Sequence, residues 1–189
     1  MHPAQHRGLR ELYVMARQLR DHWRTLAGRL QGAAPTSAAL LVEGSDAARG
    51  LIGELTEVTA ARGLHGRPAA EGFGARLASV RSALLDTSLE VNQALRFAVL
   101  DVAHVVVLLE YLAALARATA DTELETFLAG WAPRMRAHEE ALRAAAVALG
   151  ATPDAAVAAA APGLVGRLAH GAATAVGTLG EWVDGRAAR

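Results

Sequence analysis

The stretch LDVAHVVVLLEYL, residues 100–112, decides how this chain reads. Three groups that avoid apolar surroundings, Asp101, His104 and Glu110, sit inside a run of Val and Leu. Extended outward, the run carries Phe97, Leu100, His104, Val107, Tyr111, Ala114 and Ala118 at alternating spacings of three and four. That repeat predicts a long helix over 89–120 whose heptad seam faces a bundle core. Asp101 and the two other polar groups are then either the remains of a metal site inside a helical bundle or a polar seam that fixes how helices pack.

The flanking sequence supplies the rest of a bundle. Asp121 and Thr122 give a turn and a cap, and a second helix follows over 123–149. Its stripe is Leu124, Leu128, Trp131, Met135, His138, Leu142 and Leu149, and Pro133 should kink it near Ala129. Upstream, Leu12, Ala16, Leu19, Trp23, Leu26 and Leu30 alternate by four and three, the stripe of a helix over 9–30. QGAAPTS (31–37) breaks it, with Thr36 or Ser37 as the next cap. A helix over 37–62 follows, with Leu40, Leu41, Ala47, Leu51, Leu55 and Val58 on one side. Gly44, Gly50 and Gly53 dilute it, each at about 1 kcal/mol against alanine, and close approach of a neighbour is the expected compensation. RGLHGRPAAEGFG (62–74) reads as loop, with short helical pieces around 75–85 and from 88. A connection of this length separates two helix pairs, as in bundles with a crossover rather than simple up-down ones. GATPD (150–154) ends the bundle.

The tail differs in composition. Leu164, Leu168, Ala172, Ala175, Leu179 and Trp182 share one side, beside the small residues Ala169, Ala173 and Gly177. The expected division is therefore a helical bundle over 1–150 and an Ala/Gly-rich amphipathic helix over 151–189 that docks on the bundle or on a partner.

Composition narrows the function classes. Hydrophobic residues are 52%, charged residues 20% and aromatics 4%, which favours a helical globular domain over disorder or sheet. The formal net charge is +0 and every basic residue is arginine, a poor basis for nucleic-acid binding. With 0 Cys, disulfides, thiolate catalysis and Cys-ligated zinc are excluded. The first residues lack the apolar core of a signal peptide, and Asp101, His104 and Glu110 interrupt the greasiest run before it reaches the ~20 residues of a spanning helix. The expectation is a cytoplasmic protein without membrane association. There is no Gly-x-Ser-x-Gly elbow and no Walker loop, and GFGARLA (72–78) has no strand before it.

His104 and His138 occupy seam positions at equal distances from the TADT turn, so a hairpin brings them to the same level. Asp101 lies one turn from His104, and Glu139 adjoins His138. Asp101, His104, His138 and Glu139 thus form a conceivable ligand set for iron, manganese or zinc. The competing reading is a buried His pair with a carboxylate that satisfies its own hydrogen bonds and fixes register. A di-iron bundle needs about four carboxylates and two Glu-x-x-His pairs. The chain has no Glu-x-x-His, and Ala16, Ala47 and Leu51 stand on the first two stripes where ligands would be wanted.

LRELYVMARQL (9–19) resembles the opening helix of the YciF-type ferritin-like proteins, stress-associated bacterial bundles, in which it commonly reads Leu-Arg-Asp-Leu-Tyr-x-Ala-Glu-x-Gln-Leu. GELTEVTAARGLHGRP (53–68) is similar to the end of their second helix, and residues 102–142 match their third and fourth in length and spacing. The resemblance covers most of 9–149 and implies a ferritin-like up-down bundle with a crossover connection, an additional helix and a dimer. It departs at the polar positions. The family's first-helix Glu falls on Ala16; its Glu-His-Tyr-Glu stretch falls on Ala103, His104, Val105 and Val106; its last acidic run falls on Arg134, Met135 and Arg136. The expectation is an all-α protein with a degenerate metal centre and no cofactor, acting without catalysis through self-association or a protein partner, in a bacterial stress response. The alternative is a metal-binding ferritin-like protein, for redox or metal storage, with a reduced site at Asp101, His104, His138 and Glu139. A third reading is an apolar ligand held between the Ala- and Gly-rich helices.

Overall fold

The computed structural model describes residues 1–64 and 89–160. Four long helices dominate: α1 (Pro3–Leu30), α2 (Pro35–Ala60), α3 (Val91–Ala118) and α4 (Thr122–Ala148). A 3-10 turn at Leu149–Ala151 and a single helical turn, α5 (Pro153–Ala156), follow. The pieces expected around 75–85, and the helix expected over 151–189 from residue 161 on, lie outside the described residues.

Helix α1 begins at Pro3, ahead of the start at residue 9 that its apolar stripe predicts. The His2 side chain accepts the Ala4 amide at 3.1 Å, Gln5 Oε1 accepts the His2 amide at 2.8 Å, and Pro3 supplies a preset φ at the first helical position. The whole stripe Leu12, Ala16, Leu19, Trp23, Leu26 and Leu30 is buried, as its spacing predicts. Pro35 likewise opens α2. Of the α2 stripe, Leu41, Leu51 and Leu55 are fully buried while Leu40, Ala47 and Val58 lie at its edge. The expected compensation for the glycines is real at two of three. A Cβ on Gly44 would lie 2.0 Å from Trp23 Cζ3 and one on Gly50 3.1 Å from Trp131 Cη2, whereas nothing is within 4 Å of Gly53. Pro133 sits inside α4 without ending it.

Side-chain pairs fix the helix directions. The short connection from Leu30 to Pro35 makes α1 and α2 an antiparallel hairpin, in which Ser45 Oγ donates to the Arg20 carbonyl at 2.9 Å and Arg24 pairs with Asp46. Gln5 Nε2 donates to Thr119 Oγ1 at 2.8 Å and His22 meets Asp101 at 2.6 Å, so α1 and α3 are antiparallel. Trp131 Nε1 donates to Glu54 at 2.9 Å and Arg62 to Asp121 at 2.8 Å, so α2 and α4 are antiparallel. With the α3–α4 hairpin, each helix has two antiparallel neighbours, and α2 and α3 run the same way on a diagonal. The end of α2 and the start of α3 therefore lie at opposite ends of the bundle.

After α4 the chain folds over the start of α3. The Val91 amide donates to the Ala158 carbonyl at 2.9 Å, the Ala160 amide to Leu89 at 3.0 Å and Asn92 Nδ2 to Ala156 at 3.0 Å. These contacts satisfy backbone groups that a helix end otherwise leaves open. At the opposite end, the Asp121 carboxylate accepts both Arg62 and the Leu124 amide, closing α2 onto the cap of α4. Hydrogen bonds from the Arg62 guanidinium are the main reason its carboxyl is held below the ordinary carboxylate value. Because the folded value is the lower one, the stabilisation is complete above about pH 4 and is lost as the pH falls through the folded value. Asp121→Asn keeps a good cap but removes the charge. It should lower stability at pH 7 by about 1–2 kcal/mol and flatten the acid limb of a pH–stability curve measured by urea unfolding.

Candidate functional site

Among the described residues the core is almost wholly apolar. Among the described residues the buried polar ones are Gln5, Ser37 and Ser45, and the first and last of these are hydrogen-bonded within the chain. The four residues considered for a metal site have different neighbours. Asp101, on the flank of α3, meets His22 Nδ1 of α1. His104 projects outward, its side chain 54% exposed, with Nε2 3.5 Å from Glu11. His138 is half-buried on α4 towards α2; burial pushes its pKa below the ordinary histidine value, the nearby Glu43 opposes this and Arg134 adds to it. Burial thus favours its neutral form. Glu139 pairs with Arg143 one turn further along α4. Equal distance from the turn sets the level of His104 and His138 but not their azimuth, and the two helices direct them to different sides. Among the described residues no three His, Asp or Glu side chains gather in a group able to hold a metal ion.

The seam that marked α3 is the reason. Phe97, Leu100, Val107 and Tyr111 are 50%, 63%, 64% and 51% exposed, and Ala114 and Ala118 are exposed with them. The expectation that this heptad faces the core is overturned. The core is reached by another heptad on the same helix: Val91, Leu95, Ala98, Val102, Val105, Leu109, Leu112 and Ala116, each 1% exposed or less. From Phe97 on, every outer-seam residue follows an inner one by two positions, a rotation of about 200° on an α-helix. Thus α3 carries two apolar seams on opposite faces. Periodicity finds either, and only the charges beside them separate the two. Asp101, His104 and Glu110 accompany the outer face and reach Glu11, His22 and Arg136 across its edges.

This two-faced character also makes α3 long and apolar enough, by composition, to cross a membrane. Its best 18-residue window has a mean hydropathy of 2.0, contrary to the expectation that the polar residues break the run, and 50% of that window is buried in the bundle. Neither face holds a nucleophile beside a base. Beside the outer seam, towards α4, lies an open groove of about 360 Å³, lined by Ala113, Ala114, Ala129, Ala132 and Pro133 together with the charged Glu110, Arg117 and Arg136.

A sequence reader could have found the second seam by testing every heptad phase of 91–118 rather than accepting the first that fitted. His22 and Glu11, the partners of Asp101 and His104, leave no comparable trace, because α1 alone does not say which of its charged residues face α3. In comparison with known proteins, the chain matches no family model, and no curated protein or solved structure is detectably similar to it.

Proposed function

We propose that this chain is a ferritin-like bundle that has exchanged metal chemistry for association, with itself or with another protein. The helix order supports the ferritin-like reading: two antiparallel pairs joined so that α2 and α3 run in parallel is the pattern a long crossover produces. The observation that carries the functional reading is the outer seam of α3. A helix apolar on both faces is a buried helix, and one face of α3 is not covered by α1, α2 or α4. Apolar fillings where the YciF-type pattern has carboxylates fit the same view, since an uncompensated buried carboxylate is costly. The bacterial stress setting implied by that resemblance belongs to this reading, as does a cytoplasmic location.

The test is elemental analysis of the full chain purified without chelator. The expected result is iron, manganese and zinc all well below one per chain, unaffected by His104→Ala or His138→Ala. Near-stoichiometric metal that either substitution abolishes would replace association by metal binding as the leading function.

A further inference from the structure

We infer that the outer seam of α3 is covered by the chain's own C-terminal segment, residues 164–182, which holds this face until a partner displaces it. The inference rests on the association reading and names what regulates the seam.

What the seam offers narrows the occupant. The charged groups along its edges are already paired within the chain, His104 with Glu11, Glu110 with Arg136 and Arg117 with Glu125. A docked element therefore gains from apolar side chains and not from charge. Leu164, Leu168, Ala172, Ala175 and Leu179 supply an uncharged stripe. Area narrows the choice further. Phe97, Leu100, Val107 and Tyr111 leave on the order of 400 Å² of exposed apolar surface. That is about half of what each of two separate molecules buries in a standard interface. A segment of the same chain needs less, because its tether raises the local concentration to about the millimolar range.

The route is the third argument. The chain is fixed to the start of α3 up to its last described residue. Glu90 pairs with Ala159, the Ala160 amide donates to the Leu89 carbonyl and Asn92 Nδ2 to the Ala156 carbonyl. Asn92 and Glu110 are 18 residues apart, about five whole turns, so this anchor lies on the edge of α3 that carries the groove. Residues 158–160 run against 89–91, and Pro162 with Gly163 is the pair that reverses a chain in a type II turn. Helical residues starting with Leu164 beside Val91 then rise in step with α3. Ala172 comes level with Val99, Leu179 with Val106 and Trp182 with Leu109. A small residue thus passes the bulky Leu100. The indole reaches the mouth of the 360 Å³ groove, where Ala113, Ala114 and Ala129 leave room for it.

The chain has no cysteine, so introduced ones report position cleanly. In the full chain, Leu100→Cys combined with Ala172→Cys should cross-link through a short bis-maleimide. The product should still run as one chain, at a yield that dilution does not change. Ala114→Cys combined with Ala172→Cys should not cross-link, because their levels differ by about 22 Å. Val107→Cys should react with a maleimide about tenfold more slowly than in a chain that also carries Leu168→Glu and Leu179→Glu, the ratio for a segment docked about nine-tenths of the time. Those two changes leave every described core residue in place, so helical circular dichroism should persist. Four results would overturn the inference. Cross-links that form only between chains and fall on dilution mean that a second copy holds the seam. A link from position 172 to 114 and not to 100 means that the segment docks elsewhere. Equal, fast reaction at position 107 with and without the tail substitutions means that nothing covers it. Sedimentation of the wild type with phosphatidylcholine vesicles means that lipid does. Metal content of the same samples reports separately on the association reading, so the two failures are distinguishable.

Discussion

Trp131→Ala should lower the stability of the bundle by about 3–5 kcal/mol, the range for removing a buried aromatic side chain. The ring is 2% exposed and fills the seam between α2 and α4. Three contacts hold it. Its edge faces Gly50, where an added Cβ would stand 3.1 Å away; Nε1 donates to Glu54 at 2.9 Å; and the Arg134 guanidinium lies 3.8 Å from the ring centre. Alanine deletes the packing and orphans the Glu54 acceptor, which is exposed enough to turn to water. The loss is therefore mostly of apolar contact. Trp131→Phe separates the terms: it keeps most of the ring and loses the hydrogen bond, and should cost about 1–2 kcal/mol. Urea unfolding followed by circular dichroism checks both, with the slope unchanged if the unfolded ensemble is unaffected. A loss below about 1 kcal/mol for the alanine variant would mean that α2 and α4 are not held through this residue.

The parts of the fold legible in the sequence share one property: a single apolar stripe on an otherwise polar helix. On α1 there is one way to lay Leu12 to Leu30 against a neighbour, and all six stripe residues are buried. On α4 the stripe holds from Leu124 to Leu142 except at His138, which sits at its edge. On α3 the pattern is degenerate, since two heptads of similar quality lie on opposite faces, and the length and end points of the helix were readable while its rotation was not. The candidate site inherited that error. Asp101 and His104 were placed by the seam, so a rotation of about half a turn moved them from the interior to the α1 edge. Residues far apart in sequence are harder still. Gln5 with Thr119 and Arg62 with Asp121 are contacts of the bundle ends, set by where each helix stops. Helix ends depend on caps such as His2 and Asp121, which stripe counting ignores.

Gly44→Ala is the other large effect, and its sign runs against helix propensity. At an exposed helix position, alanine for glycine stabilises by about 0.5–1 kcal/mol. Gly53, on the same helix with nothing within 4 Å, should behave that way. At Gly44 the new Cβ would stand 2.0 Å from Trp23 Cζ3 and 2.5 Å from Cε3. The obstacle is a rigid ring rather than the flexible end of a side chain. Trp23 is 0% exposed and wedged among the α1 stripe and α2, so it has no free direction in which to move. Either α2 shifts away from α1 or the indole leaves its rotamer, and overpacking of this kind costs more than propensity returns, for a net loss of about 2–3 kcal/mol. A second substitution identifies the cause. The Trp23 Nε1 proton is buried with no hydrogen-bond partner, so the ring is kept for its volume and not for its polar atom. Trp23→Phe removes that donor and the outer ring carbons together. In the Gly44→Ala background it should restore part of the lost stability, while in the wild type it opens a cavity and destabilises. Thermal melts of the four chains, wild type, each single variant and the double, measure the coupling. Additive losses would show that the clash with Trp23 is not what makes Gly44 necessary, and the close packing of α1 on α2 would need another explanation.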